Sequence, residues 1–178
     1  FIMVTSTTST LFTSDYTDVL AHVTSQNTQS TPEKAFGAID AAKALEEMHI
    51  HADQQQAARH KHDRFNELVS DARGMISKER VQQICKETGY SVDEILQKLL
   101  PIAQKYAKPA ISKFHVGAVA VGKTTGAIFL GGNLEFVGVP LTTCVHAEQF
   151  LIVNARKHGE QGFDKIAITA SPCGHCRQ

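Results

Sequence analysis

The pattern of hydrophobic and polar positions divides the chain near Met75. Residues 1–32 are rich in Ser and Thr, which is typical of a disordered segment. From Pro32 to about residue 72 the sequence favours a helix with proline at its first position. Its apolar face is weak and fades after His49, so we interpret this part as a polar helix or a linker rather than a core element. Residues 1–74 therefore form an N-terminal extension with no assigned function.

From Met75 to the end, residues 75–178, the periodicity changes repeatedly and predicts one layered α/β domain. The order helix, strand, strand, helix, strand, helix favours a mixed sheet covered by helices. The predicted elements are a helix over 78–86 ended by Gly89, a helix N-capped by Ser91 and stopped by Pro109, a hairpin of strands 116–121 and 127–130, a helix capped by Thr143 that runs to about His158, a strand over 165–170, and a helix that opens at Cys173.

Composition narrows the classes of function. The 178 residues include 18 Lys or Arg and 18 Asp or Glu, and this balance argues against a nucleic-acid partner, whose binding would need a basic surface. No apolar run is long enough to span a membrane, and the first residues do not resemble a secretory signal. The four cysteines are therefore expected in a reducing cytoplasm, where a close Cys pair indicates a metal.

Two short motifs lie where predicted helices begin. The first contains His146 and Glu148, and the second contains Cys173 and Cys176. Because strand ends and helix starts share one edge of an α/β sheet, the two motifs are expected to face each other. Two thiolates and one imidazole are good Zn²⁺ ligands, and three protein ligands leave one position open for water, as in catalytic zinc sites. Glu148 is then placed to move protons beside that water.

The remaining cysteines and histidines have simpler explanations. Cys85 and Cys144 are expected to be buried in the packing. His175 is not expected to be a ligand, and the histidines of residues 49–62 are spaced so that they diverge around a helix.

The pattern His-x-Glu followed by Pro-Cys-x-x-Cys is the signature of zinc-dependent deaminases. The segments His146–Gln149 and Pro172–Gln178 resemble the motifs of the cytidine deaminase family. Residues 114–118 and 132–136 resemble the same family upstream. Asn133 and Glu135 share one face of an extended chain, and the resemblance implies that they bind the ribose of a free nucleoside. It also places Phe114 near the pyrimidine ring.

The resemblance implies a three-layer cytidine-deaminase-like fold and a zinc-dependent hydrolase for pyrimidine salvage. It would convert cytidine, and also deoxycytidine, into the uridine product and ammonia. A histidine ligand in place of a third cysteine resembles the homodimeric branch of the family. The family's catalytic domain continues further, so residues 75–178 are expected to be incomplete at the C-terminus. Two alternatives remain open, a polynucleotide-editing cytosine deaminase and a non-catalytic zinc-binding module.

Overall fold

The computed structural model describes residues 32–178, with side chains from residue 43 onward. The disorder expected for the first residues lies outside this range. Residues 61–178 form one compact unit, and the described part of a second unit is the helical stretch 32–60. Among the described residues, no helix combines the length and apolar character that a membrane crossing requires.

The described elements alternate between helices and short strands. In chain order they are α1 (Pro32–Val69), β1 (Met75–Ile76), α2 (Lys78–Thr88), α3 (Val92–Gln104), β2 (Gly117–Gly122), β3 (Ile128–Gly132), a 3-10 turn (Leu141–Thr143), α4 (Ala147–Lys157) and β4 (Phe163–Ile168). Two of the predicted caps are confirmed. The Ser91 side chain and Glu94 form a capping box at the start of α3, and Gly89 ends α2 with φ of 64°.

The sheet has four strands in the order β1-β3-β2-β4, and all three pairings are antiparallel. The α/β class is confirmed, but the expectation of a mixed sheet is wrong for the described strands. The crossover through α4 does make β3 and β4 point in the same direction. They are not neighbours, however, because β2 lies between them.

Helices cover both faces of this sheet, so the predicted three layers are confirmed. Alternate residues of β2 and β3 face opposite sides. Val119, Ile128 and Leu130 join the core with α2 and α3. Ala118, Ala120 and Phe129 instead pack on α4, in a second core cluster.

The end of α1 belongs to the first of these cores. Phe65, Leu68 and Val69 are buried there, and the ring of Phe65 meets Tyr90 edge-on at 5.9 Å. The interpretation of this stretch as a polar helix or linker is therefore wrong for its last turns. Mixed charge around residues 59–64 obscured a short apolar face that the core buries.

Two predicted helix starts differ from the structure. Thr143 does not cap α4, because its hydroxyl donates to the Pro140 carbonyl within the 3-10 turn. The N-cap is His146. The helix expected at Cys173 is a single turn, closed by a hydrogen bond from the Arg177 amide to the Cys173 carbonyl.

Close backbone contact seats α4 on the sheet. A Cβ atom added at Gly131 would lie 2.4 Å from the Ala147 carbonyl oxygen, a distance that no side chain tolerates. The first turn of α4 therefore lies directly on β3, and this contact fixes where the residues of that turn can reach.

Candidate metal centre and substrate cavity

His146 occupies the junction between an extended segment and α4. Its φ and ψ of −77° and 157° are extended, as an N-cap requires. The preceding residue, Val145, exchanges backbone hydrogen bonds with Leu134, at 2.9 and 3.0 Å. This isolated antiparallel bridge ties the start of α4 to the segment that follows β3.

The two cysteines of the C-terminal turn converge on this histidine. His146 Nδ1 lies 3.4 Å from Cys173 Sγ and 3.3 Å from Cys176 Sγ. Among the described residues, these three form the only group of His, Cys, Asp or Glu ligand atoms that all lie within 4.8 Å of one another. The predicted metal-ligating residues are thus brought together.

The spacing of these atoms fits zinc. Tetrahedral Zn²⁺ with bonds of about 2.0 Å to nitrogen and about 2.3 Å to sulfur separates the two ligand atoms by about 3.5 Å. The observed distances of 3.3 and 3.4 Å are close to this value. The donor set of one imidazole and two sulfurs is also one that zinc prefers.

The two sulfurs have different electrostatic environments. A backbone hydrogen bond from Cys176 lowers the pKa of Cys173. Burial, followed by the negative charge of Glu148, raises the pKa of Cys176 to about 12. A second thiolate is therefore unfavourable here unless a cation compensates its charge, and zinc is such a cation.

A cavity of about 240 Å³ opens beside the sulfurs, and it brings together nearly all of the predicted site residues. They are Phe114, Asn133, Glu135, His146, Glu148 and Cys173. Cys176 lines a second, larger cavity of about 610 Å³ along β4. Glu148 lines both cavities.

Asn133 and Glu135 organise the wall of the smaller cavity. Asn133 Oδ1 accepts from the Val116 amide at 2.9 Å, and its Nδ2 donates to the Phe114 carbonyl at 2.9 Å. Glu135 accepts from the amides of Ile111 and Ser112, both at 2.8 Å, and from the Ser112 hydroxyl. The hydrogen bond from the Ser112 hydroxyl lowers the pKa of Glu135, and the two backbone donors lower it further. Both side chains hold the loop that carries Phe114.

Phe114 is 61% exposed, which a core phenylalanine would not be. It lies at the cavity wall, and its backbone is held by Asn133 and by the Ser112 hydroxyl. An exposed ring at a cavity wall can pack on a planar ligand.

Sequence reasoning missed the role of Gln149. Its Oε1 accepts from the His146 amide at 2.9 Å, and its Nε2 lies 2.7 Å from His175 Nε2. The signal was present, because a glutamine three residues after an N-cap is the capping-box spacing. The expectation for Cys144 is confirmed, since it is buried, and Cys85 packs half-buried against the core.

Comparison with known proteins agrees with this geometry. Residues 91–178 match the family model described as the cytidine and deoxycytidylate deaminase zinc-binding region. This match covers just under half of the chain. The site described above, with its imidazole and two sulfurs, lies entirely within this zinc-binding deaminase region.

Curated relatives extend the similarity. A cytidine deaminase of Shewanella loihica is 48% identical over 111 residues, which cover 62% of this chain and 37% of that protein. Cytidine deaminase 1 of Arabidopsis thaliana is 44% identical over 104 residues, which cover 58% of this chain and 34% of the relative. The deaminase region thus spans little more than a third of the length of these relatives.

Solved structures of cytidine deaminases are also similar. One from Burkholderia pseudomallei is 27% identical with a TM-score of 0.44, covering 49% of this chain and 72% of that chain. One from Mycobacterium tuberculosis is 23% identical with a TM-score of 0.44, covering 49% and 74%.

Proposed function

We propose that this protein catalyses the zinc-dependent hydrolytic deamination of cytidine and deoxycytidine, in pyrimidine salvage. The observation that carries the proposal is the smaller cavity. It combines a candidate metal centre, a carboxylate able to move protons, and a polar pair suited to a sugar.

His146, Cys173 and Cys176 would hold the zinc ion, since their ligand atoms have the required spacing. When bound, zinc lowers the pKa of water and so supplies a nucleophile near neutral pH. Three protein ligands would leave one position for water, as in a catalytic zinc site rather than a closed structural one.

Glu148 serves as the proton-transfer residue. It accepts the proton of the attacking water, passes it to N3 of the ring, and assists departure of the amino group. It lies in the first turn of α4, one residue after Ala147 and two after His146. Support comes from its place in the lining of both cavities.

Asn133 and Glu135 bind the ribose hydroxyls, and Phe114 packs on the pyrimidine. Support comes from their place on one cavity wall. Glu135 Oε2 accepts from both loop amides, but Oε1 accepts only from the Ser112 hydroxyl. Oε1 therefore keeps a lone pair to which a ribose hydroxyl can donate. Asn133 lines the same cavity while its side chain holds the loop.

The proposal is tested by incubating the purified zinc-loaded protein with cytidine and, separately, with cytosine-containing single-stranded RNA. We expect conversion of cytidine to uridine, followed by ultraviolet absorbance and mass spectrometry, and no change in the RNA. Deamination of RNA alone would instead support a polynucleotide-editing enzyme. Stoichiometric zinc without any deamination would support a non-catalytic zinc module.

We also propose a cytoplasmic homodimer. All four cysteines are free, which suits a reducing compartment. Four apolar side chains near the smaller cavity are exposed, namely Phe136, Val137, Val139 and Leu141, and exposed apolar clusters mark interaction surfaces. Sedimentation analysis of the wild-type protein and of Val137→Asp checks this, with the variant expected to shift toward monomer.

A further inference from the structure

The candidate metal centre is assembled from two segments with different support. His146 is fixed by the start of α4, which rests on β3. Cys173 and Cys176 lie on a turn whose residues are mostly exposed; Pro172 is buried, but Cys173, Gly174 and His175 are exposed. A Cβ added at Gly174 would touch nothing within 4 Å. Apolar packing therefore does little to fix the turn.

A side-chain bridge that does not involve the thiols connects the turn to α4. Gln149 Nε2 lies 2.7 Å from His175 Nε2. The other side-chain contacts between the two segments involve the thiols, which meet His146 and, for Cys176, Glu148. The rings of His146 and His175 also meet edge-on, with centroids 6.0 Å apart.

The hydrogen bond at Gln149 Oε1 determines which group of the side-chain amide faces His175. Its Oε1 accepts from the His146 backbone amide, so the amide group must present its NH₂ to His175. His175 Nε2 is then the acceptor of this bond. One side chain thus holds the backbone of one candidate ligand and a residue between the other two.

We infer that Gln149 is a positioning residue for the metal centre, acting through His175 on the turn that carries Cys173 and Cys176. This inference rests on the proposed zinc site and deepens it. Gln149 does not touch the metal ligands' donor atoms. It sets the distance between the two segments before zinc binds, so that less ordering is required on binding.

The test measures zinc affinity of the 178-residue chain by competition with a chromophoric chelator. The variants are Gln149→Ala, which removes both bonds, His175→Phe, which keeps the ring but removes the acceptor nitrogen, and the double variant. Gln83→Ala is the matched control, because Gln83 makes a similar 2.8 Å side-chain bond to Glu87 on α2. Circular dichroism without zinc shows whether each variant is folded.

We expect each single variant to bind zinc about tenfold more weakly, the usual effect of losing a partner behind a metal ligand. The double variant should bind no more weakly than the weaker single variant, because both changes break one bridge. Cobalt substitution should show altered absorption bands in both singles, as the ligand geometry relaxes. The control should match the wild type.

Unchanged affinity in folded His175→Phe would overturn the inference, since Gln149 would then act only as a helix cap. Losses that add in the double variant would overturn it as well. If Gln149→Ala does not fold, His175→Phe alone decides by the same criterion. A different result, wild-type zinc binding no tighter than that of His146→Ala, would instead overturn the zinc site itself.

Discussion

Glu148 differs from the other carboxylates of the chain by its surroundings. It is partly buried in the first turn of α4, and its charge contributes to the raised pKa of Cys176. It lies close enough to influence a sulfur ligand, yet it does not belong to the group of converging ligand atoms. A carboxylate so placed can act on a water at the metal without replacing a ligand.

We expect Glu148→Gln to keep its zinc and to lose turnover by about 10² to 10⁴-fold, because general acid–base catalysis contributes on that scale. Zinc content by atomic absorption and cytidine turnover measure the two effects. Asp164→Asn is the control, since Asp164 lines only the larger cavity, and its activity should be unchanged. Loss of zinc from the Glu148 variant would show that this residue is a ligand after all.

Glu135→Gln should raise KM for cytidine more than it lowers kcat. The carboxylate would lose its charge-assisted bond to a ribose hydroxyl, and such bonds contribute about 1.5–3 kcal/mol, or roughly 10 to 150-fold in affinity. Steady-state kinetics on cytidine and on free cytosine provide the measurement. Cytosine lacks the sugar, so its kcat/KM should hardly change; an equal loss for both substrates would contradict the ribose assignment.

At the scale of single residues, the sequence predicted the candidate site well because its residues occur in short motifs. His146, Cys173 and Cys176 converge, as their positions at two predicted helix starts implied. Asn133 and Glu135 meet on the same cavity wall. The Gln149–His175 bridge could not be predicted, because it depends on how the last turn folds back on α4, which no local pattern encodes.

At the scale of elements, Glu160 joins two connections that are distant in sequence. This residue is 1% exposed. Its carboxylate accepts hydrogen bonds from the turn between β2 and β3 and from the loop between α4 and β4, at Thr124, Thr125, Gln161 and Gly162. Burial by itself raises the pKa of Glu160, but the backbone donors outweigh it, and the net pKa lies far below the usual value.

A depressed folded-state pKa stabilises the protein above the unfolded pKa of 4.5, and this stabilisation is lost as the pH falls below that value. Glu160→Gln should therefore lower the free energy of unfolding at pH 7 by about 1–3 kcal/mol. The substitution replaces one carboxylate oxygen by an NH₂ group, so the backbone amides that donated to that oxygen lose their acceptor. Its Tm should also fall less than that of the wild type between about pH 5 and about pH 2.

Thermal denaturation across this pH range measures both effects, with Glu46→Gln on the exposed surface of α1 as the control. A variant as acid-sensitive as the wild type would show that other carboxylates dominate. The sequence did not reveal Glu160, because a buried glutamate and a solvated one look the same in a polar loop. Likewise Thr143 resembled a cap, although its hydroxyl bonds to Pro140.

At the scale of the whole molecule, the boundary of the folded unit differs from the change in sequence pattern. The division into residues 1–74 and 75–178 remains a proposal, and the structure places the start of the compact unit at residue 61. Periodicity averaged over a long helix hid the apolar residues of its last turns, Phe65, Leu68 and Val69.

Two truncated proteins test whether the folded unit begins at residue 61 or at residue 75. Removal of residues 1–60 should leave Tm and zinc affinity near those of the whole chain. Removal of residues 1–74 should lower Tm markedly, because it deletes three buried core side chains, and loss of one buried Phe side chain alone costs about 3–5 kcal/mol. Equal Tm values for the two truncated proteins would place the boundary at residue 75 instead.

The close contact of α4 with Gly131 limits which substitutions the chain tolerates at positions outside the site. Gly131 has no side chain and is not in either cavity, yet a Cβ there would displace the backbone of Ala147, next to His146. Its neighbour Gly132 is crowded from the opposite face, where an added Cβ would lie 2.5 Å from the Ala107 amide. In a library of all single substitutions, these two glycines should be as intolerant as the metal-ligating residues themselves.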